Sequence, residues 1–149
     1  VIKMKISKNK LLGMLIFLLV SSISISGQYK DQLINRMSDF RNKVYENVDE
    51  GHDVQQKDAL RAMQEEWDKE LNIVYQKIMK IANTKTKNNL RNAQRAWLKS
   101  RDKKVHDSYY FENPEGGSMG VLFSLNTNVK LLEQRTLELA EMYDRLTGK

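Results

Sequence analysis

The sequence predicts an all-α protein: a small antiparallel bundle of three core helices with an additional N-terminal helix, and no disulfides. Apolar residues recur in steps of three and four along four long stretches, the period of a helix with one buried face. One proline, Pro114, and seven glycines punctuate 149 residues, too few for a turn-rich β-fold. No alternating run of strand type competes with the helical pattern.

The first stretch runs from about Tyr29 to Val48, with Tyr29, Leu33, Met37, Phe40, Val44 and Val48 on one side. Gly51-His52-Asp53 closes it. The second runs from about Asp58 to Ala82, where Leu60, Met63, Trp67, Leu71, Val74, Ile78 and Ile81 form a stripe. Asn83-Thr84-Lys85-Thr86 then offers the side-chain oxygens that cap a helix start. The third runs from about Lys87 to His106, with Leu90, Gln94, Trp97, Arg101 and Val105 sharing a face. A loop over residues 107–120 follows, broken by Asn113-Pro114 and Gly116-Gly117. The last stretch runs from about Met119 to Leu146 through Leu122, Leu125, Val129, Leu132, Thr136, Leu139, Tyr143 and Leu146. Helices joined by short links pack as a bundle.

The N-terminus has the order of a cleavable export signal. Lys3, Lys5, Lys8 and Lys10 precede an apolar run from Leu11 to Val20, and small residues follow up to Gly27. The run is shorter than the roughly 20 residues of a membrane span. Cleavage is expected after Ser26 or Gly27, leaving a periplasmic or secreted protein without stable membrane insertion. Three regions are thus expected: a signal over 1–27, a helical extension over 28–58 and a helical domain over 59–149. The chain carries a net +6, and the four signal lysines account for four of those charges. The remaining +2 removes the argument for nucleic-acid binding from overall charge. The sequence has no cysteine, which excludes thiol chemistry, cysteine-bound metal and disulfide staples.

Polar residues on buried faces stand out. Arg101 and Gln94 share the third stripe with Trp97, and a buried arginine must be paired. Asp68, Asn72 and Tyr75 lie beside the apolar stripe of the second helix. Asp68 or Asn72 is expected to face Arg101, Arg95 or Gln94, with Arg135 joining. Such a set reads either as an internal network fixing helix register or as a polar binding site.

The same residues carry a likeness to a known family. Asp68 to Tyr75 has the spacing D-x-x-L-N-x-x-Y through Leu71 and Asn72. Leu90 to Asp102 reads L-R-x-A-Q-R-A-W-L-x-x-R-D, and Gly116-Gly117-Ser118 and Glu133-Gln134-Arg135-Thr136 follow in order. Together they resemble the LprI-like lysozyme-inhibitor family, a domain of secreted and envelope bacterial proteins, over about residues 59–146. The resemblance marks Asp68, Leu71, Asn72, Tyr75, Gln94, Trp97, Arg101, Asp102 and Arg135 as a structural motif. It also implies cysteines in many members at the positions of Ala59, Val105 and Thr127, where this chain has small or apolar residues.

A lysozyme inhibitor must obstruct a cleft with two catalytic carboxylates. The 107–120 loop, with Tyr109, Tyr110, Phe111, Glu112, Glu115 and Ser118, is the candidate contact, because tyrosines favour interface hot spots and acids steer toward a cationic partner. The expected partner is therefore a protein, with a lysozyme the implied one. The alternative is a general envelope binding or structural module with no enzyme target. No catalytic residue, metal site or cofactor is expected. His52 and His106 stand apart at helix ends with no nucleophile pattern beside them.

Overall fold

A computed structural model describes residues 27–49, 53–111 and 114–148. Residues 1–26 of the expected export signal, His52 and Glu112 lie outside the described residues. Four helices make up almost all of the described chain: α1 (Gln28–Tyr45), α2 (Asp53–Ile81), α3 (Thr84–Tyr109) and α4 (Ser118–Thr147). All four expected helices are present, and no strand appears among the described residues.

α4 is the central helix. It packs most extensively on α2, then on α3 and α1, and α1 also touches α2. The core holds Leu33 and Met37 of α1, Met63, Trp67, Leu71, Val74 and Ile78 of α2, and Val129, Leu132, Leu139 and Ala140 of α4. Thr136, fully buried in that seam, turns its hydroxyl back to the Leu132 carbonyl at 2.7 Å, so the polar atom is satisfied within its own helix. Each buried aliphatic side chain contributes about 1.5–3 kcal/mol relative to exposure, so the α2–α4 seam dominates stability.

α3 is a different kind of helix. Leu90 is its single buried side chain. The link from α2 is tight, and Asn83 caps α3 by accepting the Thr86 N–H at 2.9 Å. Beyond that link α2 and α3 barely approach one another and both lean on α4. The expected stripe of α3 is correspondingly half-covered: Gln94, Trp97, Arg101 and Val105 are all partly exposed.

α1 is fastened at both ends. Gly27 supplies no side-chain cap at its start. The buried carboxylate of Asp144, near the end of α4, accepts the N–H groups of Tyr29 at 2.9 Å and Lys30 at 3.0 Å instead. A carboxylate is unfavourable at the C-terminal end of its own helix, but here it serves the positive end of α1. Further along, Arg36 grips the buried Glu70 through Nε and Nη2 at 3.0–3.3 Å, and Arg41 meets Glu133 of α4 at 3.2 Å. No described helix is long and apolar enough to cross a membrane.

Candidate functional site

The bundle has one end where α1 finishes, α2 begins, α3 finishes and α4 begins. The connection from α3 to α4 is made at this end. α3 runs to Tyr109 and α4 starts at Ser118, so the loop is shorter than the expected 107–120 and Tyr109 belongs to the last turn of α3.

Tyr109 organises this connection. Its hydroxyl accepts the Gly117 N–H at 3.2 Å. Its ring lies so close to Gly116 that a Cβ there would sit 2.1 Å from Cε1, and Gly116 is in the left-handed region at φ +72°. A Cβ at Gly120 would come within 2.4 Å of the Tyr109 carbonyl oxygen. The glycines are therefore required by the backbone conformation and by a tyrosine lying against them. Ser118 completes the turn: its hydroxyl donates to the Asp53 carboxylate and accepts from the Lys57 ammonium, tying the start of α4 to the start of α2. The hydrogen bond from Lys57, seconded by that from Ser118, holds the Asp53 carboxyl below its ordinary range. Tyr109 and Ser118, both read from sequence as partner contacts, are thus committed to building the turn.

The surface left over is apolar and aromatic. Phe111 is 80% exposed, Val54 70% and Met119 51%, and Tyr110 and Tyr45 are also exposed. Tyr110 stands edge-on to Tyr109, with centroids 4.8 Å apart, and beside His106. Next to them a cavity of about 500 Å³ opens between the helix ends, lined by Tyr45, Val48, Leu60, Leu122, Phe123 and Asn126. Exposed large apolar groups gathered at one end of a small domain mark an interaction site. The same end is acidic. The described residues of segments 46–53 and 107–115 hold five acids, Glu46, Asp49, Asp53, Asp107 and Glu115, and no lysine or arginine. His106 and Asp107 lie here too, but Asp107 is engaged by Lys103 at 2.6 Å, which keeps its carboxyl below the usual range.

The family-like motifs resolve into two structural devices. Glu133-Gln134-Arg135-Thr136 is a hub on α4. Glu133 reaches α1 through Arg41, Arg135 donates through Nε to Gln94 Oε1 of α3 at 3.0 Å and pairs with Glu138, and Thr136 sits against α2 near the Trp67 carbonyl. The inter-helix polar network therefore runs from Gln94 to Arg135. Asp68, Leu71, Asn72 and Tyr75 line a second, open groove of about 370 Å³ with Arg91, Gln94, Arg95 and Leu98. Leu71 is buried, whereas Asp68 and Asn72 are exposed and bond chiefly to each other's turn, Asn72 Nδ2 donating to the Asp68 carbonyl at 2.9 Å.

Asp68 and Asn72 thus share a groove with Gln94 and Arg95, two of the three side chains expected to face them, while the third, Arg101, is engaged elsewhere. Arg101 stacks over the Trp97 ring, 5.3 Å from its centroid, and donates to its neighbour Asp102 at 2.7 Å and 3.0 Å. Register explains this. Asp68 lies 15 residues before Asn83 and Arg101 18 residues after it, so the arginine projects about one helical turn beyond its intended partner. Sequence reading also missed Asp144, whose partners lie more than a hundred residues away along the chain.

No curated protein matches the chain, and neither does any solved structure. A family model described as "Lysozyme inhibitor LprI" matches residues 42–139, more than half of the chain. That span opens inside α1 and takes in the Tyr109 turn, the α2–α3 groove and the α4 hub.

Proposed function

We propose, from the premise that this chain belongs to the LprI lysozyme-inhibitor family, that it is an exported protein which binds a lysozyme through the loop end of its bundle. The observation that carries this reading is the coincidence, at one end, of exposed Phe111, Tyr110, Met119 and Val54 with the acids Glu46, Asp49, Asp53, Asp107 and Glu115, of which Asp53 pairs with Lys57 and Asp107 with Lys103. An apolar centre with a charged rim is the usual anatomy of a protein-binding patch. An acidic rim draws a cationic enzyme toward the patch and speeds encounter.

In this reading Tyr110 and Phe111 are the inserted groups, and Tyr109, Gly116, Gly117 and Ser118 hold them in place. Insertion blocks access to the enzyme's catalytic carboxylates and requires no chemistry from the inhibitor. Pre-organisation matters here: a turn already braced by Tyr109 and by the Asp53–Ser118 contact loses little entropy on binding. Lysozyme-driven lysis of bacterial cells, with and without the purified protein, tests the proposal. Inhibition by the wild type and its loss in Phe111→Ser are expected. Lysis unchanged by the protein across several lysozyme types would remove the proposal. Full inhibition by Phe111→Ser would remove the loop from it.

A further inference from the structure

α3 carries eight lysines and arginines against two acids, a net +6, while residues 27–149 carry +2 in all, which leaves the remainder of that span at −4. Positive charge is therefore concentrated on one helix. Four of the cations, Lys87, Arg91, Arg95 and Lys99, follow one another at intervals of four residues, a row of roughly 18 Å at the helical rise. Like charges at that spacing weaken a helix. Nothing local relieves them. Both acids of α3 are taken by other cations, Asp102 by Arg101 and Asp107 by Lys103. Among the described residues none of the four has an ion-pair partner, and Arg91 donates only to the neutral Asn88 side chain at 2.9 Å. Packing does not explain the row either, because Leu90 is the one buried side chain of the helix.

Arg91 and Arg95 form one wall of the α2–α3 groove, and Asp68, Asn72 and Tyr75 form the other. Guanidinium forks recognise phosphate oxygens in pairs. The opposite wall offers a carboxylate, an amide and a phenol, groups that suit hydroxyls. Its carboxylate also disfavours a strand that bears anions alone. A channel between two helices admits a strand and excludes a flat surface. One aromatic side chain, Tyr75, lines it, far short of the stacking platform that a single-stranded nucleic acid uses.

From this juxtaposition we infer that the α2–α3 groove and its cationic row bind a linear polymer of phosphodiester-linked polyols. This inference concerns a different surface and a different ligand from the lysozyme reading, and it stands or falls separately.

The test is direct binding of a labelled poly(glycerol phosphate) oligomer to the purified protein, by fluorescence anisotropy at low and raised salt. Saturable binding that weakens with salt is expected, as for any polyanion held by cations. Arg91→Gln with Arg95→Gln should weaken it at least tenfold while leaving the thermal midpoint unchanged or raised, since both side chains are exposed and their repulsion is relieved. Lys43→Gln with Lys130→Gln, an equal loss of charge on α1 and α4, should leave binding within twofold of wild type. Absence of binding at low salt would overturn the inference, as would equal weakening by the two pairs of substitutions. Equal affinity for single-stranded DNA or for anionic lipid vesicles would also overturn it, because the groove would then not be selecting a polyol strand.

Discussion

Replacing Gly116 with alanine strikes the loop end where it is most tightly built. Gly116 has φ +72°, and an added methyl would lie 2.1 Å from Tyr109 Cε1 and 2.5 Å from Cζ. The ring cannot stay where it is. Holding an L-residue in the left-handed region costs about 1–2 kcal/mol. Displacing the ring forfeits the bond from the Gly117 N–H to its hydroxyl, worth about 1 kcal/mol. Together these give a loss of about 2–3 kcal/mol, or about 10 °C in Tm for a domain of this size. Two companions separate the contributions. Gly117→Ala carries backbone strain alone, since its Cβ would meet nothing within 4 Å. Tyr109→Phe removes the hydroxyl alone and should cost about 1 kcal/mol. Urea unfolding with an unchanged m-value measures all three. A Gly116→Ala midpoint equal to wild type would refute the packing of Tyr109 on this turn, and with it the pre-organised loop.

Two further outcomes follow from the electrostatics. Asp144→Asn keeps one acceptor oxygen but loses the charge that serves the start of α1, so stability should fall by about 1–2 kcal/mol. Hydrogen exchange at Tyr29 and Lys30 should accelerate selectively, and unchanged exchange there would remove the cap assignment. Asp53, Asp107 and Glu141 have carboxyls held below their ordinary values by Lys57, Lys103 and Lys30 respectively. Their contribution is fully present above the unfolded values of 3.8 to 4.5 and disappears as pH falls through the lower folded values. Thermal midpoints should therefore be flat from pH 7 to about pH 5 and decline below about pH 4. A midpoint that drops between pH 7 and 5 would show that other groups govern acid sensitivity.

The helices were legible because their apolar residues keep one period for five to eight turns. Their ends were less so. α2 begins at Asp53, five residues before the expected Asp58, because 53–58 has only Val54 as an apolar marker, and Val54 is exposed. Arg101 shows a different limit. Spacing places it on the packed side of α3, but spacing cannot reveal that α3 leans on a single neighbour, which leaves that side half-open. The same opening turns Asp68 and Asn72, one of the two alternatives being an internal network, into the wall of a groove. Gly116-Gly117-Ser118 was recognisable as a breaker. That Tyr109 lies against it is a contact eight residues apart whose geometry depends on the left-handed backbone between them. The Asp144 cap joins opposite ends of the chain and leaves no local trace.

Competition for the enzyme's cleft tests the lysozyme reading most directly. A short chitooligosaccharide occupies the substrate cleft of a lysozyme, and the protein is proposed to enter the same cleft with Tyr110 and Phe111. Titrating the protein into lysozyme by calorimetry at rising oligosaccharide concentration should show an apparent Kd that increases in proportion to oligosaccharide. Binding should be lost in Tyr110→Ser with Phe111→Ser. An apparent Kd that does not change with oligosaccharide, or binding that survives the double substitution, would contradict the account.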